Sequence, residues 1–235
     1  MDNKQLLPFI KNEDLYKHVK AVLDVAKNAA GDVEKKLYSN VIDPFSALFD
    51  ASCQGISLEQ WIRQEKSRQT QKTLQNAIGE FHQNILGSIS GWKNLGSGNI
   101  ADLINEDKRI IAEIKNKFNT TKGNHKTAIY EDFKKLLDKD HARYSCYYVE
   151  IIPQAKKEYD KPFCPSDNRK GKRKPKNSRI RITDGRSFYS LVSGEKNALE
   201  QLYLVLPKVI GDIFGDGEYI VENAREFQKL FYRAY

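Results

Sequence analysis

Residues 99–117, NIADLINEDKRIIAEIKNK, constrain the fold most, because ionisable groups stand inside runs that otherwise bury apolar side chains. Leu103 and Ile104, then Ile110, Ile111 and Ile114, are strand formers on either side of the polar break Asn105-Glu106-Asp107-Lys108. Two such runs with a short polar break read as a β-hairpin, its turn type left open by the absence of Asn-Gly or Asp-Gly. Centred between Asp107 and Lys108, the hairpin sets Asp102 directly opposite Glu113. Side chains alternate along a strand, so Glu113 and Lys115 share the face of Asp102, while Ala101, Leu103, Ala112 and Ile114 take an apolar face.

Directly opposed residues have Cβ atoms roughly 4.5–5.5 Å apart. Two carboxylates that close repel unless a divalent cation lies between them, and Mg²⁺ takes such oxygen donors together with waters and phosphate oxygens. Lys115, one pleat on, could orient an attacking water or neutralise charge on a phosphate. Asn119, Thr120 and Lys122, in the polar loop that follows, suit phosphate contacts, and Lys117 shares the strand face. A solvated hairpin face would also carry Asp, Glu and Lys, so the spacing Asp-x10-Glu-x-Lys is weak evidence by itself.

At 235 residues with 40% hydrophobic and 11% aromatic side chains, the chain can fold around one sizeable core, or two small ones. No apolar run is long enough to span a membrane, and the start lacks a signal-peptide core, so a cytoplasmic protein is expected. Cys53, Cys146 and Cys164 fit reduced thiols, and His18, His82, His125 and His141 are too scattered for a histidine metal centre. The net charge of +8 is concentrated. Arg169, Lys170, Lys172, Arg173, Lys174, Lys176, Arg179 and Arg181 fall within 168–183 without an acid, the footprint of a polyanion partner.

Leu15, Val19, Val22, Leu23 and Ala26 have helical spacing, with Asn12 as N-cap and Gly31 as stop. Ser57 and Gln60 form a capping box for a long helix that buries Leu74, Ala77, Ile78, Phe81 and Ile85, where Gly79 would serve close packing. Residues 87–98 read as an irregular approach to the hairpin. A helix through Phe133 and Leu137 and a strand over 144–152 follow, then a loop over 156–177. Arg179-Ile180-Arg181-Ile182 alternates as a strand, leading to an Asp184-Gly185 turn before Arg186. The tail is helical, with a break or kink at Pro207, and its stripe of Phe227, Leu230, Phe231 and Tyr235 suits core packing or a dimer face.

Asp102 with Glu113-Ile114-Lys115 resembles the PD-(D/E)xK nuclease motif, with Ala101 where that motif has proline. The segments RQTQKTLQNAIGEFHQNILGSISGW, IAEIKNKFNTTKG, YYVEIIP and ITDGRSFYSLVSG, in this order, resemble type II restriction endonucleases that cut GGNCC. The resemblance covers about Asp43 to Pro207. It implies a mixed α/β fold, a PD-(D/E)xK restriction-endonuclease-like core with helical N- and C-terminal additions. The chain would be one endonuclease domain: a helical scaffold over 1–56, a catalytic core over 57–152, a basic DNA-recognition region over 153–193 and a helical tail over 194–235.

It further implies Mg²⁺ held by Asp102, Glu113 and the Ile114 carbonyl. Glu80, on the helix before the hairpin, could supply an extra acid, although a solvated face is its plainer reading. Double-stranded DNA would be the substrate, a homodimer the acting form, and a cognate methyltransferase the protection of the host. Arg179, Arg181 and Arg186 are the best base-reading candidates for a G-rich site, with Lys170 to Lys176 mostly on phosphates. Two competing readings are a repair or junction nuclease without sequence preference and a DNA-binding protein without catalysis.

Overall fold

The computed structural model describes residues 4–36, 42–96, 98–139, 141–167, 171–215 and 224–235. Its first elements are α1 (Asn12–Lys36), α2 (Pro44–Gln54), α3 (Leu58–Gly87), β1 (Lys93–Asn94), β2 (Leu103–Asn105), β3 (Ile110–Lys117) and α4 (Gly123–Asp138). Next come β4 (Ser145–Ile152), β5 (Asp160–Pro162), β6 (Ser166–Asp167), β7 (Lys172–Arg173), β8 (Ile180–Asp184), α5 (Gly185–Ser193), α6 (Ala198–Phe214) and α7 (Ala224–Ala234). These elements make a mixed α/β protein. They fall into two units, Met1–Val19 with Phe81–Tyr235, and Lys20–Glu80.

The first unit is built on a six-stranded sheet of order β1-β2-β3-β4-β8-β5. The predicted hairpin is its organising pair, with Leu103 opposite Ala112, Ile104 opposite Ile111 and Asn105 opposite Ile110. Its turn manages without glycine. The Asn105 side chain accepts the Lys108 N–H at 2.7 Å, and Arg109 takes the left-handed conformation at φ 54°. β3 runs parallel to β4, and β4 parallel to β8, so each connection must cross a face of the sheet. Helix α4 makes the first crossing and buries Tyr130, Phe133 and Leu137 against Ile111, Cys146, Tyr148 and Ile180. Phe163 completes this layer by stacking on Tyr148, ring centroids 4.7 Å apart.

The other face is closed by α5. Phe188 packs its ring 5.8 Å from those of both Tyr147 and Trp92. Gly185 opens the helix against the Ile151 backbone, where any Cβ would overlap the carbonyl. Asp184 caps α5 by accepting the Ser187 N–H at 3.1 Å, so the expected Asp184-Gly185 turn is a strand-to-helix junction. The expected loop over 156–177 also carries more order, since β5 joins the sheet edge and β6 pairs with β7. Before the hairpin, β1 extends the sheet where an irregular approach was expected.

The second unit is helical. Its capping box is present: Ser57 N–H donates to the Gln60 side chain at 3.0 Å, and Gln60 N–H returns to Ser57 Oγ at 3.2 Å. Trp61, buried, donates to Asp50 at 2.9 Å, and Arg68 pairs with the same carboxylate at 3.0 Å. Three helical expectations need correction. α1 continues through Gly31 because one glycine costs a helix only about 1 kcal/mol, and α6 continues through Pro207 with Leu202 and Val209 buried on either side of it. A Cβ at Gly79 would meet nothing within 4 Å, so close packing is not its reason. No described helix is long and apolar enough to cross a membrane.

Phe133 is fully buried at the centre of the α4 layer. Phe133→Ala should lower the stability of unfolding by about 3–5 kcal/mol, measured by denaturant titration, since the cavity adds to the lost burial.

Candidate active site

Asp102 lies one residue before β2, just past the last regular pair, Leu103 with Ala112. Its N–H donates to the Ala112 carbonyl at 3.0 Å, and its own carbonyl accepts the Leu95 N–H at 2.8 Å. The first of these bonds goes to Ala112, one residue short of Glu113, and the two acids meet through their side chains, which interact directly. The Asp102 side chain is pinned as well, its Oδ2 accepting the Ile114 N–H at 2.7 Å. Lys115 Nζ stands 2.5 Å from Glu113 Oε1. The predicted trio therefore meets on one face of the hairpin. Ala101, Leu103, Ala112 and Ile114 are buried, as the alternation requires.

Burial holds the Asp102 carboxyl above the ordinary carboxylate range, against the pull of the Ile114 N–H and the Lys115 ammonium. Glu113 is raised for the same first reason, reinforced by the negative charge of Asp102 and opposed by Lys115. Two half-buried acids that repel this way form a site short of positive charge. The two carboxyls are in direct hydrogen-bond contact, and acids brought this close present the hard oxygen donors that a small divalent cation prefers. The residues fit such an ion. Among the described residues these acids form a pair and not a cluster of three. Glu80 belongs to the other unit, where it is exposed on α3.

Lys117 ends β3 beside Ile152 of β4, half-buried. Asn119, Thr120 and Lys122 are exposed on the loop between β3 and α4, Thr120 Oγ1 donating to the Lys117 carbonyl at 2.7 Å. In the basic region, Arg169 and Lys170 lie outside the described residues. Lys172, Arg173 and Lys176 are exposed. Lys174 is tied to Glu131 at 2.5 Å and to Asp167 at 3.0 Å. Arg179 donates to the Ala142 carbonyl, and Arg181 pairs with Asp160 at 2.6 Å. Arg186 lies over two rings of the C-terminal segment, 5.5 Å from Phe231 and 5.2 Å from Tyr235.

Sequence reasoning missed a second polar group at the ends of the parallel strands. Glu150 and Asp184 are buried acids paired in register across β4 and β8. Asp184 Oδ2 accepts the Tyr159 N–H at 2.7 Å and the Ser187 hydroxyl at 2.6 Å. The signal was an acid inside the apolar run YYVEII, the same kind that singled out Glu113. His82 is a satisfied interior group, its Nδ1 2.8 Å from the Tyr189 hydroxyl and its pKa lowered by burial to about 4.

Residues 7–215 match the family of the Eco47II restriction endonuclease. The chain is 42% identical over 238 residues to the type II restriction enzyme Eco47II of Escherichia coli, covering 98% of this chain and 99% of that one. It is 32% identical over 216 residues to the type II restriction enzyme Sau96I of Staphylococcus aureus, covering 90% of this chain and 82% of that one. No solved structure matches significantly. A restriction endonuclease is a hydrolase that cuts DNA site-specifically. On full-length similarity, the chain belongs to the Eco47II restriction endonuclease family.

Proposed function

We propose that this restriction endonuclease is Mg²⁺-dependent, has a PD-(D/E)xK core within a single 235-residue endonuclease domain, and cuts double-stranded DNA at GGNCC. The observation that carries the catalytic part is the side-chain contact of Asp102 with Glu113, with Lys115 beside them. The target comes from the segment resemblance and from relatives named as type II restriction enzymes.

In this reading Asp102, Glu113 and the Ile114 carbonyl hold the cation. When bound, it supplies Lewis-acid stabilisation of phosphate charge and lowers the pKa of a water. Lys115 orients the attacking water and neutralises charge that builds on the phosphate. The Ile114 N–H fixes Asp102, so the carboxylate is aimed before DNA arrives. Lys117, Asn119, Thr120 and Lys122 line the exposed end of β3 as backbone contacts. Lys172, Arg173 and Lys176, with Arg169 and Lys170, take phosphates along the duplex. Arg179, Arg181 and Arg186 read guanines, each exchanging the intramolecular partner described above for a base edge.

A near-palindromic target calls for a two-fold dimer with one centre per strand. The exposed Phe227 and Leu230 on α7 support the tail as a subunit face. The enzyme would work in the cytoplasm beside a methyltransferase that protects the same site.

Digestion of a sequenced plasmid tests the target. Discrete fragments ending at GGNCC with Mg²⁺, abolished by EDTA and reduced at least about a hundredfold by Lys115→Ala, are expected. A smear would keep the nuclease and remove the site. A second prediction follows from the raised acids. In EDTA the folded Asp102 holds its proton to higher pH than the unfolded one. Its contribution is therefore full below the unfolded pKa of roughly 3.8 and lost as pH rises through the folded one. Asp102→Asn should melt above wild type at about pH 8, with the gap closing toward about pH 4. A variant that melts lower at the alkaline end would mean the charged pair stabilises the fold.

A further inference from the structure

Lys126, in the first turn of α4, is a cation that the catalytic scheme does not use. Its Nζ stands 2.7 Å from Glu150 Oε1 and 3.1 Å from the Phe118 carbonyl. The other oxygen of Glu150 accepts the Tyr159 hydroxyl at 2.6 Å. Glu150 is only 5% exposed, and a carboxylate so buried persists only when both oxygens are satisfied. Lys126 and Tyr159 satisfy them.

Register locates this group relative to the active site. Across the parallel β3–β4 pair, Glu150 stands beside Lys115 and Tyr148 beside Glu113. Paired residues of neighbouring strands project to one face, and such strands run about 4.8 Å apart. The Lys126 ammonium lies 5.3 Å over the Tyr148 ring. Tyr148, buried next to this group, is held above its ordinary pKa by burial and by the negative charges of Glu150 and Glu113. Lys126 thus sits one strand from the acid pair, on its face and at the C-terminal ends of the parallel strands, where sheets of this kind bind ligands.

A lysine carries three N–H donors. Glu150 and Phe118 take two of them, and among the described residues no acceptor is found for the third. The side chain keeps 23% of its surface exposed. Lys115, paired with Glu113 at 2.5 Å, is assigned to the attacking water and the cleaved phosphate, which leaves Lys126 for a neighbouring one. Holding a mobile lysine on a phosphate costs side-chain entropy, and Glu150 with the Tyr148 ring has already ordered this one.

We propose that Lys126 is a DNA-phosphate ligand of the catalytic face, aimed by Glu150 and Tyr159 as positioning residues at the phosphate next to the one that is cleaved. This rests on the DNA-cleaving reading of the site. A purely structural ion pair is the alternative.

The test is DNA binding in EDTA to a GGNCC duplex across a salt series, with thermal unfolding of each protein alongside. Lys126→Gln removes the charge yet can still donate to Glu150, and Lys126→Gln/Glu150→Gln leaves no unpaired buried charge. Both should bind about tenfold more weakly at moderate salt and flatten the slope of log Kd against log salt by up to about one. Lys126→Arg should restore most of the slope, and Tyr159→Phe should lose part of it. Unchanged slopes in proteins that melt lower would make the pair structural and overturn the proposal. A wild type without salt-dependent DNA binding would instead overturn the DNA-cleaving reading beneath it.

Discussion

The chemistry proposed for this protein depends on one pair of acids brought together by a hairpin. β2 and β3 pair in one register, and just past its last pair the Asp102 side chain meets Glu113; a slip of one residue would set the two acids on opposite faces. The Ile114 N–H locks that register at the site itself by donating to the Asp102 carboxylate. Two buried acids repel, so the fold must hold them together by means other than their own interaction. Lys115 offsets part of the repulsion, and the apolar partners on the opposite face supply the rest of the support.

The sheet extends this logic outward. The parallel pairs β3–β4 and β4–β8 bring Glu113, Lys115, Glu150 and Asp184 to one face near the C-terminal ends of their strands. The lower half of that face is apolar and covered by α4, so the polar groups gather where the helix begins. α5 and Trp92 close the opposite face, leaving the chemistry on a rigid floor. Buried acids there are each satisfied differently. Glu150 has a lysine and a tyrosine, Asp184 caps a helix, and Asp102 and Glu113 face each other as a carboxyl pair of the kind that suits a cation.

The hairpin, its register and the acid pair were legible in the sequence because alternation leaves little freedom once one face must be apolar. The capping box at Ser57 was legible for a local reason, since its bonds span three residues. What lay between distant segments was not. The guanidinium alternation of Arg179 and Arg181 looked like a free binding face, yet each side chain has a partner far along the chain. Arg186 likewise rests on Phe231 and Tyr235, over 40 residues away in the sequence. Short strands such as β1, β5, β6 and β7 have too few residues to show a period. Propensity misled at Gly31, where one glycine costs a helix only about 1 kcal/mol, and at Pro207, which buried Leu202 and Val209 flank in α6.

The most direct test of the account is a crystal of the enzyme soaked in Mn²⁺, with anomalous scattering used to locate the ion. The account predicts a single strong peak between the carboxylates of Asp102 and Glu113, close to the Ile114 carbonyl, and none in crystals of Glu113→Gln. A peak held by other residues, or an empty acid pair at saturating Mn²⁺, would contradict it.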